Sequence, residues 1–208
     1  MDDRTDDLRP KRLTEVAPLA MASLALPLFV WSAFNADFFG REGESFIIPL
    51  AVFFGGPIAL AAGMWAYHHR EAYLATIAGV TGAFWLTYGM LLWLMHSGVV
   101  DEALVGGDLR GLLFAAWAVT FAILWLASIR EHWTLSLVTL GMGLMFVFLS
   151  AGYYRESDNA LRAGGWIGFL TAAVAWYGAL AELLNAEFEH EVLPTDLDSF
   201  RRLLLGAR

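Results

Sequence analysis

Two apolar segments, residues 46–67 and 72–95, are joined only by His68-His69-Arg70-Glu71, and neither holds a single Asp, Glu, Lys or Arg. At about 1.5 Å of rise per helical residue, each is long enough to cross a hydrocarbon core of about 30 Å. A connector of four residues leaves no room for anything but an immediate return. The pattern predicts a transmembrane helical hairpin.

Four further uncharged runs, at residues 17–36, 111–129, 133–154 and 163–181, bring the expected number of spans to six. Charged residues make up only 16% of the 208 and cluster between these blocks, whereas a soluble domain spreads them. None of the runs alternates with period two. Inside a bilayer each must therefore satisfy its own backbone as a helix, not as a barrel strand. The expected class is an all-α membrane protein with three parts: an N-terminal tail over 1–16, a six-helix domain over 17–184, and a C-terminal tail over 185–208. The first twelve residues are too charged for a cleaved signal peptide.

Basic residues give the orientation. The N-terminal tail, the second and fourth loops and the C-terminal tail carry nine Arg and Lys, against four in the remaining loops. The excess marks the cytoplasmic side, so both termini are expected inside, at the plasma membrane. Trp65, Trp93 and Trp133 lie near span ends, where indole prefers the headgroup region. The chain has no Cys and a net charge of −8, which removes thiol chemistry and disfavours nucleic acid as a partner. No zinc-protease helix, nucleophile elbow or phosphate loop is present, and adjacent His68 and His69 lack a third metal ligand. No enzyme, cofactor or metal site is expected.

Pro27 stands mid-span in the first run, and Pro49 and Pro57 in the second, the latter directly after Gly55-Gly56. These residues make either a packing kink or a hinge in a pore wall. Gly56, Ala59 and Gly63 form a small-residue stripe that lets another helix approach closely.

Several blocks resemble the succinate–acetate permease family, also called the acetate uptake transporters. They are Ala17-Pro18-Leu19 with Asn35, Phe53-Phe54-Gly55-Gly56, Ala62-Gly63-Met64-Trp65 and Gly82-Ala83-Phe84-Trp85-Leu86. The C-terminal part adds Gly165-Trp166-Ile167-Gly168, Glu182-Leu183-Leu184-Asn185 and Val192-Leu193-Pro194. The resemblance implies a six-helix protomer, assembled as a homo-hexamer, that passes acetate or a related small carboxylate, often with protons. It also places the narrow part of the path at Leu24, Thr81 and Met142. Departures accompany it: Glu15-Val16 stand where the family opens its signature with Asn-Pro, Ala20 replaces a Gly, Ala59 and Ala66 replace a polar residue and a carboxylate, and Thr81 replaces an aromatic.

Helical spacing supplies a path lining of its own. Leu24, Leu28, Trp31 and Asn35 share one face of the first helix; Thr81, Trp85 and Tyr88 share one of the third; Thr139, Met142 and Phe146 share one of the fifth. Such stripes equally describe helix–helix core. The amide of Asn35 can cap its helix or donate to a solute carboxylate. Ser32 and Thr87 are expected to bond back to their own helices. Glu15, Pro18 and Glu182 are the candidates for the cytoplasmic mouth, Glu15 being either an N-cap acid or a charge that repels anions by about 1 kcal/mol in a wet vestibule. None of the six runs carries a fixed cation, so a bare carboxylate is poorly compensated in mid-membrane, and the solute crosses with its proton or over hydroxyls, amides and water. Two other readings stay open: passage of a neutral or cationic small solute, and a non-conducting scaffold or sensor of the same fold.

Overall fold

A computed structural model describes residues 16–101, 105–129, 133–188 and 190–195. Among them every regular element is helical. Six helices are long and apolar enough to cross a membrane: α1 (Ala17–Asn35), α2 (Gly43–His68), α3 (Ala72–His96), α4 (Gly107–Ser128), α5 (Trp133–Tyr154) and α6 (Asp158–Glu187). The expected six spans are thus present. Three of them take in charged residues beyond the uncharged runs, and α2 opens early enough to include Glu44. α4 starts early enough to take in Asp108 and Arg110, and α6 has 30 residues, about 45 Å at 1.5 Å each. The ends of α6 therefore reach beyond the hydrocarbon, which is where its charged turns belong.

Local chemistry sets the ends. Pro18 stands in the first turn of α1, where a missing N–H costs nothing. The Ser157 side chain caps α6 by accepting the Ala160 N–H at 3.4 Å, and Asp158 adds a negative charge in the first turn, where the helix dipole favours it. Three connectors turn through a left-handed residue, Asp37, Arg70 and Glu156, after α1, α2 and α5 respectively.

Within α2 the prolines change the helix type. A 3₁₀ turn (Arg41–Phe46) leads into Ile47–Pro49, then a π segment (Leu50–Gly55), then regular helix from Gly56 to His68. Pro57 offers no N–H to the preceding turn, and the Gly56 N–H reaches five residues back to the Ala51 carbonyl. The Gly56–Gly63 stripe packs against α3 of the same chain. A Cβ on Gly82 would lie 2.8 Å from the Gly56 carbonyl oxygen, and one on Gly63 would lie 2.9 Å from the Gly79 nitrogen. These small residues serve close packing within the protomer.

Packing joins the helices in the order α3, α2, α1, α6, α5, α4, with α3 and α4 touching only sparsely through their backbones. Aromatic rings close that seam: Phe84 of α3 meets Trp117 of α4 with ring centroids 5.1 Å apart, and Tyr88 meets Phe114 at 5.8 Å. The middle of the ring of helices is filled by side chains. Trp31 of α1 contacts five rings, from Phe84, Trp85 and Tyr88 on α3, Phe114 on α4 and Phe146 on α5.

Candidate solute path

The three residues expected at the narrow part lie inside the protomer. Leu24 is 5% exposed, Thr81 3% and Met142 0%, so none of them faces lipid. Leu28, Trp31, Trp85, Tyr88, Thr139 and Phe146 are buried as well. Of these, Trp31, Trp85, Tyr88 and Phe146 meet in the aromatic cluster around Trp31. Thr139 sits apart, its hydroxyl donating to the Leu135 carbonyl at 2.9 Å and lying 3.3 Å from the Ser128 hydroxyl.

Asn35 ends α1, and its amide donates to the Trp31 carbonyl at 3.0 Å. Of its two readings, the cap on its own helix is therefore present. The expectation for Ser32 is corrected: its buried hydroxyl bonds to no helix carbonyl and has no hydrogen-bond partner. It packs against Gly168 of α6, whose missing side chain makes the space. The Trp85 indole N–H is likewise buried and unpartnered. Its ring edge lies against Gly55, in the π segment of α2. At the opposite end of the bundle, Pro18 and Glu182 are half-buried, while Glu15 falls outside the described residues. His68 and His69 are exposed.

The sharpest polar constellation is one that the uncharged runs hide. Glu44, half-buried in the 3₁₀ turn that opens α2, accepts two hydrogen bonds on the same carboxylate oxygen, Oε1. One comes from Trp31 Nε1 at 2.9 Å and the other from the Tyr88 hydroxyl. Arg110 of α4 lies over the Tyr153 ring, 5.6 Å from its centroid. The expectation of spans without a fixed cation is corrected: α4 includes Arg110, one residue ahead of its uncharged run, and α6 includes Arg162. Glu44 and Arg110 thus stand at the end of the bundle that carries the α1–α2, α3–α4 and α5–α6 turns. Beneath them come apolar and aromatic side chains. At the same end, Arg162 of α6 pairs with Asp37 in the α1–α2 turn.

Sequence reasoning missed Glu44 because it lies between Arg41 and Phe46, in what reads as an ordinary polar loop. Its only signal is that such a short connector keeps every side chain close to helix ends.

Similarity to known proteins agrees with this architecture. The chain superposes on the solved structure of the bacterial acetate channel SatP with a TM-score of 0.82, at 25% identity, covering 88% of this chain and 99% of that one. It is 25% identical over 183 residues to the succinate-acetate/proton symporter SatP of Escherichia coli, covering 88% of this chain and 95% of that protein. Acetate permease A of Emericella nidulans is 27% identical over 198 residues, with 88% and 66% covered. Ammonia transport outward protein 3 of Saccharomyces cerevisiae is 28% identical over 179 residues, with 85% and 65% covered. The chain thus spans about two thirds of the length of these fungal relatives. A six-helix multi-pass membrane protein with this sequence profile, matched over residues 4–196, belongs to the GPR1/FUN34/yaaH family.

Proposed function

We propose that the protein passes acetate or a similar small monocarboxylate through the protomer, together with a proton or as the neutral acid. The observation that carries this reading is the contrast between the mouth and the middle. Charge is confined to the ends of the bundle, while Leu24, Thr81 and Met142 are buried on α1, α3 and α5, among aromatic and apolar neighbours. An unprotonated carboxylate taken into that middle loses hydration worth several kcal/mol, which protonation avoids. The names of the relatives, an acetate permease and a succinate-acetate/proton symporter, support the same class of solute. The path runs along Leu24, Leu28, Trp31, Thr81, Trp85, Tyr88, Met142 and Phe146, with Asn35 and Thr139 as its wall polar groups. Glu15, Pro18 and Glu182 form the cytoplasmic mouth, with both termini inside and the protein in the plasma membrane.

A second reading has its own observation. A carboxylate at the mouth, Glu44, attracts cations, and the ammonia transport outward protein is among the relatives. Labelled acetate flux into proteoliposomes across a pH gradient separates the two. Uptake that accelerates as the outside is made acidic supports the monocarboxylate. Absent acetate flux with methylammonium uptake supports the cation. A lack of flux for either solute leaves a non-conducting scaffold. The homo-oligomer, a hexamer by resemblance, belongs to the same reading and is tested by native mass measurement in mild detergent.

A further inference from the structure

We propose that Trp31 and Tyr88 form an entry site for the solute's carboxylate at the α1–α2 end of the bundle, and that Glu44 occupies this site as a built-in competitor. The inference rests on the monocarboxylate reading given above.

The Trp31 indole N–H and the Tyr88 hydroxyl come from two different helices, yet they converge on a single oxygen. Both rings are buried, and Trp31 is held by five aromatic neighbours, so packing fixes the pair whatever accepts from it. Two neutral donors fixed on one point make a receptor for one carboxylate, and Arg110, over the Tyr153 ring, stands at the same end of the bundle.

The occupant differs from the receptor in one respect. Trp31 and Tyr88 lie in regular helix on α1 and α3, whereas Glu44 lies in the 3₁₀ turn that opens α2, ahead of its apolar stretch. The outer atoms of its side chain, a methylene and a carboxylate, nearly reproduce acetate. A group that binds one binds the other. Tethering gives Glu44 a local concentration on the order of millimolar, so a free solute must displace it before moving inward. If Glu44 were only a brace between α1 and α3, its loss would weaken the fold and leave the affinity for acetate where it was.

The test uses the full chain in proteoliposomes, with labelled acetate at fixed pH on both sides. Glu44→Ala is expected to lower the half-saturating acetate concentration several-fold, and Glu44→Gln to lower it less, because its amide oxygen still accepts. Tyr88→Phe is expected to raise it in both the parent and the Glu44→Ala background. Arg162→Gln, which removes a different charge at the same end, leaves it unmoved. A second readout is thermal: acetate raises the unfolding midpoint of Glu44→Ala more than that of the parent, since ligand binding stabilises by mass action. Should Glu44→Ala misfold, Glu44→Gln carries both readouts. A parent that passes acetate with an affinity unchanged in Glu44→Ala, Glu44→Gln and Tyr88→Phe overturns the proposal and leaves the transport reading standing. A raised half-saturation in Glu44→Ala also overturns it, since Glu44 would then recruit the solute. A parent that passes no acetate removes both.

Discussion

Trp31 and Trp85 are both fully buried indoles at the same aromatic centre, 5.9 Å apart, and they differ in one bond. The Trp31 N–H is given to the Glu44 carboxylate, while the Trp85 N–H meets no acceptor. Replacing either by Phe removes similar volume. A hydrogen bond to a charged group contributes about 1.5–3 kcal/mol, and an unpartnered buried donor contributes none. Trp31→Phe is therefore expected to destabilise the protein more than Trp85→Phe, by about 1.5–3 kcal/mol. Unfolding of the two variants in detergent under increasing denaturant checks this. Equal losses would mean that the Glu44 bond carries no net energy. Phe84→Ala removes a fully buried ring that contacts Trp31, Trp117 and Phe146, and is expected to cost about 3–5 kcal/mol in the same assay.

At the scale of elements, the α2–α3 hairpin shows which parts of the fold can be read directly and which cannot. Its two long uncharged runs and four-residue connector leave one solution, because unpaired backbone in lipid is too costly. The stripe of Gly56, Ala59 and Gly63 likewise announces a close neighbour, although the pattern does not say whether that neighbour is the same chain. Pro49 and Pro57 announce a break. They do not specify that the break is a π segment, since this depends on which carbonyl the Gly56 N–H reaches once α1 and α3 have packed on either side. The seam yields a paired prediction. A Cβ at Gly82 would lie 2.8 Å from the Gly56 carbonyl oxygen and 2.9 Å from the Leu60 nitrogen, both backbone atoms that move only with their helix. At Gly79 the same atom meets nothing within 4 Å. Gly82→Ala is expected to destabilise by about 1–3 kcal/mol through overpacking. Gly79→Ala is expected to be neutral or to stabilise by up to about 1 kcal/mol through helix propensity. Loss of folded protein during SDS titration distinguishes the two variants, and equal tolerance would mean that the hairpin opens at Gly82.

For the whole molecule, the number of helices follows from the lengths of the uncharged runs, whereas the mouth follows from the way they close into a ring. Glu44 and Arg110 are 66 positions apart, each just outside a run, and nothing along the chain pairs them. They come together because α2 and α4 both begin at the end of the bundle where α1, α3 and α5 finish. The polar segments adjoining that end hold Arg41, Arg110, Arg155 and Arg162, against nine Arg and Lys in the other polar segments of the sequence. By the rule that basic residues are in excess on the cytoplasmic side, the Glu44 end is expected to face out and the His68-His69 connector to face in. The absence of Cys makes this testable without background labelling. Single substitutions Ser97→Cys, in the exposed turn after α3, and His69→Cys, in the exposed turn after α2, are treated in intact cells with a membrane-impermeant maleimide. Cys at 97 is expected to react at once, and Cys at 69 only after the cells are opened. The reverse pattern would place the Glu44 mouth in the cytoplasm, so that a solute displacing Glu44 there would be leaving the cell and not entering it.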